Sequence, residues 1–140
     1  MAKTYSDIKT DASNLAEQFL TKPRIRICLD ISGLASGADE VFNAFKECIE
    51  KYKTDVYLTV NGGFGIANEE PLIDIQLPNT GRVFYGKVEA KDVENIFIGH
   101  VINRKPIVDR ALAILDYPAL NTILPELYEL SMMKKQLRIA

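Results

Sequence analysis

RIRICLDISGLASGADEVFNAF, residues 24–45, is the stretch from which the fold class can be inferred. Arg24–Asp30 alternates β-branched residues with arginines, which is the period-two pattern of a β-strand. Ser32–Gly37 is small and contains glycine, so it predicts a loop, and Ser36 can cap a following helix. The apolar stripe of that helix consists of Ala38, Val41, Phe42, Phe45, Cys48, Ile49 and Tyr52. The stretch therefore predicts a strand, a loop and a helix in succession.

The flanking segments add a helix before this unit and a strand after it. The first helix is indicated by apolar residues at helical spacing, and Pro23 ends it. These residues are Ile8, Ala12, Leu15 and Phe19. Asp55–Asn61 (DVYLTVN) reads as a second strand.

Further downstream, the pattern predicts a β-hairpin and a closing helix. Leu72–Leu77 and Arg82–Val88 flank Pro78–Gly81, whose residue types favour a turn. The helix is indicated by Val93, Ile96, Phe97, Val101 and Ile102, and Asp92 lies in its first turn, where the helix dipole favours a negative charge. A right-handed crossover makes the first two strands parallel. We expect an α/β fold with a four-stranded mixed sheet.

Three segments follow from this pattern. Residues 1–22 form an N-terminal helix, residues 23–112 form the α/β domain, and residues 113–140 form a helical tail or linker. The tail expectation rests on Pro106, Pro118 and Pro125, which divide the sequence after Asn103 into short pieces.

The composition excludes several classes of function. The 140 residues are 47% hydrophobic, carry a formal net charge of −2 and lack a marked basic cluster, so nucleic acid is not an expected partner. No apolar run approaches the roughly 20 residues of a membrane helix. Met1–Thr10 is polar, without the apolar stretch of a secretory signal. We therefore expect a cytoplasmic protein in which Cys28 and Cys48 are reduced thiols.

The segment quoted first, together with the glycine-rich loop Asn61–Asn68 (NGGFGIAN), resembles the thioredoxin-like [2Fe–2S] ferredoxin domain of NADH-oxidising complexes. Such domains occur in respiratory complex I, NAD-linked hydrogenases and related formate dehydrogenases. The stretches PLIDI, VFYGKV and DVENIFIGHVINRKPIVDR extend the resemblance from about Arg24 to Leu112. It implies a thioredoxin-like fold, with the four cluster-ligand positions at Cys28, Gly33, Gly63 and Ala67.

A second resemblance lies at the end of the chain. Lys134–Ile139 (KKQLRI) looks like the start of the flavin- and NADH-binding domain in the flavoprotein subunit of the same complexes. It implies that the chain is the N-terminal piece of a longer protein, with FMN and NAD bound in a downstream domain. It also implies that the partners are other subunits of an NADH-linked redox complex.

Three of the four ligand positions lack a donor atom for iron. A [2Fe–2S] cluster in this family is held by four thiolates, and glycine and alanine have no side-chain donor. Cys48 lies on the apolar stripe of its helix, away from the ligand loops. We therefore expect no cofactor, no metal and no catalytic residue in this chain, and a docking or structural role instead of electron transfer.

Two alternatives remain open, namely a cluster held by unrecognised ligands and a small thiol oxidoreductase that uses Cys28. Other chemistry has little support. The glycine loop lacks the lysine of a phosphate-binding loop, and its glycines are expected to hold positive-φ positions. Adjacent Glu69 and Glu70 should point apart. His100, the single histidine, is expected to be structural and partly positive at the end of its helix.

Overall fold

The computed structural model describes residues 3–115, apart from the side chains of residues 18–20. Within that range the chain begins with α1 (Tyr5–Thr21), the predicted N-terminal helix. Asp7 and Thr4 cap it reciprocally: Thr4 N donates to Asp7 Oδ2 at 2.9 Å, and Asp7 N donates to Thr4 Oγ1 at 3.3 Å. Residues 3–17 are all exposed, so this part of α1 stands apart from the core.

The sheet has five strands in the order β2-β1-β3-β4-β5. Strands β1 and β2 are parallel, as the crossover rule predicts, and the other neighbouring pairs are antiparallel. The bounds are β1 Arg24–Cys28, β2 Tyr57–Asn61, β3 Ile73–Gln76, β4 Arg82–Tyr85 and β5 Ala111–Leu115. The turn predicted at Pro78–Gly81 joins β3 to β4.

The fifth strand was not predicted, and its last three residues, 113–115, were expected to begin the helical tail. Ala111–Leu115 (ALAIL) pairs along β4 and buries Ile114. This pairing covers the outer edge that β4 would otherwise expose, which explains why a short apolar segment becomes a strand. The rest of the predicted tail, residues 116–140, lies outside the described residues.

The helices differ from the prediction at one connection. Most of the predicted loop Ser32–Gly37 is a short helix, α2 (Ile31–Ala35), which Asp30 caps by accepting a hydrogen bond from Gly33 N at 2.8 Å. Ser36 does not cap the next helix, because its hydroxyl donates to Ser32 O. That helix, α3 (Ala38–Tyr52), begins instead after Gly37, whose φ of 90° suits glycine.

The core lies between α3, the closing helix and one face of the sheet. The closing helix consists of α4 (Ala90–Ile96) and a π-helical continuation, Phe97–Ile102. The predicted stripe of α3 is largely buried, including Cys48, and it packs with inward-facing residues of β1, β3 and β4. Among the described helices, none is both long and apolar enough to cross a membrane.

The opposite face of the sheet is polar. Asp74 on β3 is 1% exposed and pairs with arginines on both neighbouring strands. Arg26 Nε donates to Asp74 Oδ1 at 2.8 Å, and Arg82 Nη2 donates to Asp74 Oδ2 at 2.8 Å. Cys28 follows Arg26 at period two on β1, so its side chain belongs to this polar face and not to the helix-covered core.

Candidate functional site

The ligand positions inferred from the sequence lie at the carboxyl ends of β1 and β2. Because these strands are parallel, Cys28 pairs with Asn61 at the same edge of the sheet. Gly33 lies in α2, directly after β1, and Gly63 lies in the loop after β2. Ala67 is exposed, at the start of a short 3-10 helix (Ala67–Glu69). Three of the four positions, Cys28, Gly33 and Gly63, therefore surround one small region.

The side chain at the centre of that region is Asp30, which the sequence did not indicate as a site residue. Asp30 Oδ1 accepts hydrogen bonds from Gly33 N at 2.8 Å and from Ser32 Oγ at 3.0 Å. The backbone of Gly63 also hydrogen-bonds to this carboxylate. These bonds, led by that from Gly33, lower the pKa of Asp30, so the carboxylate is charged at neutral pH. Asp30 thus connects α2, which carries Gly33, with the loop after β2, which carries Gly63.

The glycines at these positions leave no room for ligand side chains. A Cβ added at Gly33 would lie 2.3 Å from the carbonyl oxygen of Cys28, which is backbone and cannot move freely. A Cβ added at Gly63 would lie 1.9 Å from Asp30 Oδ2 and 3.3 Å from Glu70 Oε1. The space next to Gly63 is therefore occupied by a carboxylate.

A [2Fe–2S] cluster, which the sequence resemblance implies, does not fit the residues present. Four thiolates would be needed, and this region supplies Cys28 alone. In the part of the chain that the structure describes, no three His, Cys, Asp or Glu side chains are grouped so that they could hold a metal ion.

Cys28 is poorly suited to thiol chemistry. Its side chain is 1% exposed, and burial raises its pKa to about 11, helped by the nearby charges of Asp74, Glu70 and Asp30. A hydrogen bond with Asn61 opposes this rise only in part. Because the thiolate is the reactive form, the protonated thiol disfavours a thiol oxidoreductase.

The neighbouring glutamates point apart, as expected. Glu69 lies at the surface side, where its carboxylate accepts from Asn68 Nδ2 and lies 3.9 Å from Lys87 Nζ. Glu70 turns inward, is 8% exposed, and its Oε2 atom has no hydrogen-bond partner among the described residues. No sequence pattern indicates this burial, because it depends on how the loop after β2 folds back.

That loop crosses the polar face of the sheet. The Phe64 ring packs edge-on against Phe84 of β4, with 5.5 Å between ring centroids. The expected positive φ occurs at Gly65, where φ is 75°, but not at Gly62 or Gly63. Gly63 is required for the close approach of Asp30, whereas a Cβ at Gly62 would meet no atom within 4 Å.

His100 is structural, as predicted, but its expected partial charge is wrong. It is 1% exposed, and its Nδ1 lies 2.9 Å from the Tyr85 hydroxyl. That hydroxyl accepts a hydrogen bond from Ile107 N at 3.2 Å, so its own proton points to His100 Nδ1. Burial lowers the pKa of His100 to about 3, which keeps the ring neutral.

Comparison with known proteins found related folds among solved structures. A thioredoxin-like [2Fe–2S] ferredoxin from Aquifex aeolicus superposes with a TM-score of 0.59 at 21% sequence identity, over 70% of this chain and 96% of that one. A second structure, of the wild-type ferredoxin from that organism, superposes with a TM-score of 0.56 at 22% sequence identity, over 66% of this chain and 97% of that one.

No protein-family model matches the chain, and no curated protein is similar enough to match it. The structural agreement covers nearly all of the Aquifex protein. At this level of identity it establishes the fold and not the chemistry. The chain has the fold of the thioredoxin-like [2Fe–2S] ferredoxins.

Proposed function

We propose that this chain is a cluster-free module with the thioredoxin-like ferredoxin fold, which docks other subunits of a cytoplasmic NADH-linked oxidoreductase. FMN and NAD would bind in a separate domain that follows this module. The module itself would be neither an electron carrier nor a catalyst. The proposal extends the resemblance of residues 24–112 to domains of NADH-oxidising complexes, and that of Lys134–Ile139 to the start of their flavin domain.

The observation that carries the proposal is the position of Asp30. Its carboxylate connects α2 with the loop after β2 and lies where a side chain at Gly63 would have to pass. In this chain the ferredoxin fold thus carries an internally hydrogen-bonded carboxylate next to the positions expected for cluster ligands. A scaffold of this fold without redox ligands supports a role in assembly.

No specific observation favours the two alternative functions, an electron carrier and a thiol oxidoreductase. An electron carrier would need iron ligands beyond Cys28, and a thiol oxidoreductase would need a reactive thiolate. Cys28 is buried with a raised pKa, and Cys48 packs in the core, where burial also raises its pKa. We therefore retain the docking function.

Affinity purification of the tagged protein from its native cells tests the redox context. We expect other subunits to elute with it, together with flavin absorbance and NADH-dependent reduction of an artificial electron acceptor. A preparation that contains no flavin and oxidises no NADH would rule out the proposed parent complex.

A deletion in the same native protein tests the docking role. Removal of residues 24–115 is expected to reduce the amount of co-purifying subunits while flavin binding and NADH oxidation persist, because those reside downstream. An unchanged subunit composition after the deletion would show that this module does not dock the complex.

A further inference from the structure

The region around Gly63 carries an unbalanced negative charge. We call Asp30, Asn61 and Glu70 the acidic pocket. Among residues 3–115, no lysine or arginine forms an ion pair with Asp30 or Glu70. The contrast is Asp74 nearby, which is 1% exposed and is paired with two arginines.

Two oxygen atoms of the acidic pocket are buried without a hydrogen-bond donor in the described part of the chain. They are Glu70 Oε2 and Asn61 Oδ1. A Cβ atom added at Gly63 would lie 3.3 Å from the other oxygen of Glu70, Oε1, and 1.9 Å from Asp30 Oδ2. The two carboxylates therefore face the same space. Buried carboxylate oxygens are normally paired, and one left without a donor is unfavourable. The pocket therefore calls for a cationic group that brings its own N–H donors.

The surroundings indicate that this group belongs to a protein. Three large apolar side chains are exposed on α2 and on the loop after β2: Ile31 at 88%, Leu34 at 49% and Phe64 at 44%. Ile31 and Leu34 lie in the same helix as Gly33, and Phe64 follows Gly63, so these apolar residues belong to the two segments that meet at Asp30. Arginine is enriched among the residues that dominate binding at protein interfaces, where neighbouring contacts exclude water from it.

We infer that the acidic pocket receives the side chain of an arginine from a partner protein, with Ile31, Leu34 and Phe64 contacting the partner around it. A guanidinium offers five N–H donors in a planar arrangement, which suits two carboxylates and an amide oxygen. A bound divalent metal ion is less suitable, because the pocket has too few charged ligands for one. The inference rests on the proposed docking function and assigns its contact surface.

The raised pKa of the Cys28 thiol is consistent with this assignment. After burial, the causes of the rise are Asp74, Glu70 and Asp30, all of them anions close to the thiol. An arginine between Asp30 and Glu70 would offset part of this negative potential.

Titration of the isotope-labelled chain with the peptide acetyl-Leu-Arg-Leu-amide, followed by amide NMR, tests the pocket directly. We expect saturable shifts of the Gly33 and Gly63 amides, since both bond to Asp30. Glu70→Gln should weaken binding by about tenfold or more, because it removes a charge-assisted hydrogen bond. The control Glu50→Gln removes an exposed charge on α3 and should leave the affinity unchanged.

A second measurement separates binding from folding. Glu70→Gln keeps the shape of the side chain and removes its buried charge, so it should raise the midpoint of thermal unfolding of the free chain. A stabilised variant that has lost peptide affinity cannot be explained by misfolding.

Several results would overturn the inference. One is equal binding of the same peptide with citrulline in place of arginine, because the charge would then be irrelevant. Another is peptide affinity that Glu70→Gln leaves unchanged. A third is a change in the chemical shifts of the Gly33 and Gly63 amides on addition of Mg²⁺ but not on addition of the peptide. The absence of saturable shifts up to about 10 mM peptide would also overturn it, since that limit corresponds to only about 3 kcal/mol of binding.

Failure of the peptide experiment would not remove the docking function. If other subunits still co-purify with the native protein and the deletion of residues 24–115 still releases them, docking uses another surface. If the peptide binds but no flavin complex co-purifies, the pocket is a binding site in a different context.

Discussion

At the scale of single residues, the space next to Gly63 explains why this position is glycine. We predict that Gly63→Ala lowers the free energy of unfolding by about 1 kcal/mol, because the new methyl group would push the Asp30 carboxylate away from its hydrogen bonds with Gly33 N and Ser32 Oγ. Gly62→Ala is the matched control: it meets no atom within 4 Å, and its effect should stay within about 0.5 kcal/mol. Urea unfolding of both variants measures the difference.

A double variant tests whether the Asp30 carboxylate causes the loss of stability in Gly63→Ala. In the background Asp30→Ala, the carboxylate is absent, so the additional effect of Gly63→Ala should shrink. Equal effects of Gly63→Ala in both backgrounds would show that Asp30 does not occupy this space.

His100 makes the fold sensitive to acid. Its pKa is about 3 in the folded chain against 6.5 as its ordinary value, so between these pH values the unfolded chain binds a proton that the folded chain does not. Its contribution to stability is therefore complete above about pH 6.5 and declines as the pH falls toward 3, by up to about 1.4 kcal/mol per pH unit.

The variant His100→Gln should flatten this decline. Chemical denaturation between pH 4 and pH 7 gives the slope of the free energy of unfolding for each protein. Tyr85→Phe is the control. It removes the hydroxyl that donates to His100 Nδ1 and so lowers stability. His100 remains buried in this variant, so the slope with pH should stay unchanged. The same slope in His100→Gln and in the unaltered chain would contradict this explanation.

The residues of the site were only partly predictable from sequence. Cys28, Gly33 and Gly63 were located through a family resemblance, and the structure brings them together. Ala67 lies at the surface. Asp30 was missed because it looks like the last residue of a strand, and its role depends on α2 placing Gly33 N within 2.8 Å. Glu70 was missed because burial of a charged loop residue has no sequence pattern.

At the scale of elements, Asp74 links β1, β3 and β4 on the polar face of the sheet. We predict that Asp74→Asn lowers the free energy of unfolding by about 3 kcal/mol, because Arg26 and Arg82 would lose their shared partner in a largely buried setting. The comparison variant Glu94→Gln breaks the exposed pair with Lys51 and should change stability by about 1 kcal/mol or less. Thermal and urea unfolding rank the two; a smaller effect of Asp74→Asn would contradict the prediction.

Long elements with clear periodicity were predictable, and short ones were not. The stripe of α3 and the hairpin turn at Pro78–Gly81 agree with the structure because spacing and turn chemistry specify them locally. Strand β5 has five residues and is specified by its pairing with β4. Helix α2 also has five residues, too few for a helical period to show.

At the scale of the whole molecule, the order of elements determined the architecture. The parallel β1–β2 pair follows from the right-handed crossover through α3, and that pair brings the ends of both strands to one edge. The site therefore lies where the fold dictates, while its chemistry depends on which side chains fill it. This separation is why the same fold can occur with a carboxylate at this edge of its sheet.

The central claim is that this scaffold does not assemble an iron–sulfur cluster. It is tested most directly by measuring iron and acid-labile sulfide in the chain after anaerobic reconstitution, with the visible spectrum recorded alongside. A thioredoxin-like [2Fe–2S] ferredoxin taken through the same procedure is the positive control. We predict less than about 0.1 iron per chain and no visible absorption, because only one thiolate is available at the site. About two irons and two sulfides per chain, with the colour of a [2Fe–2S] cluster, would contradict the claim.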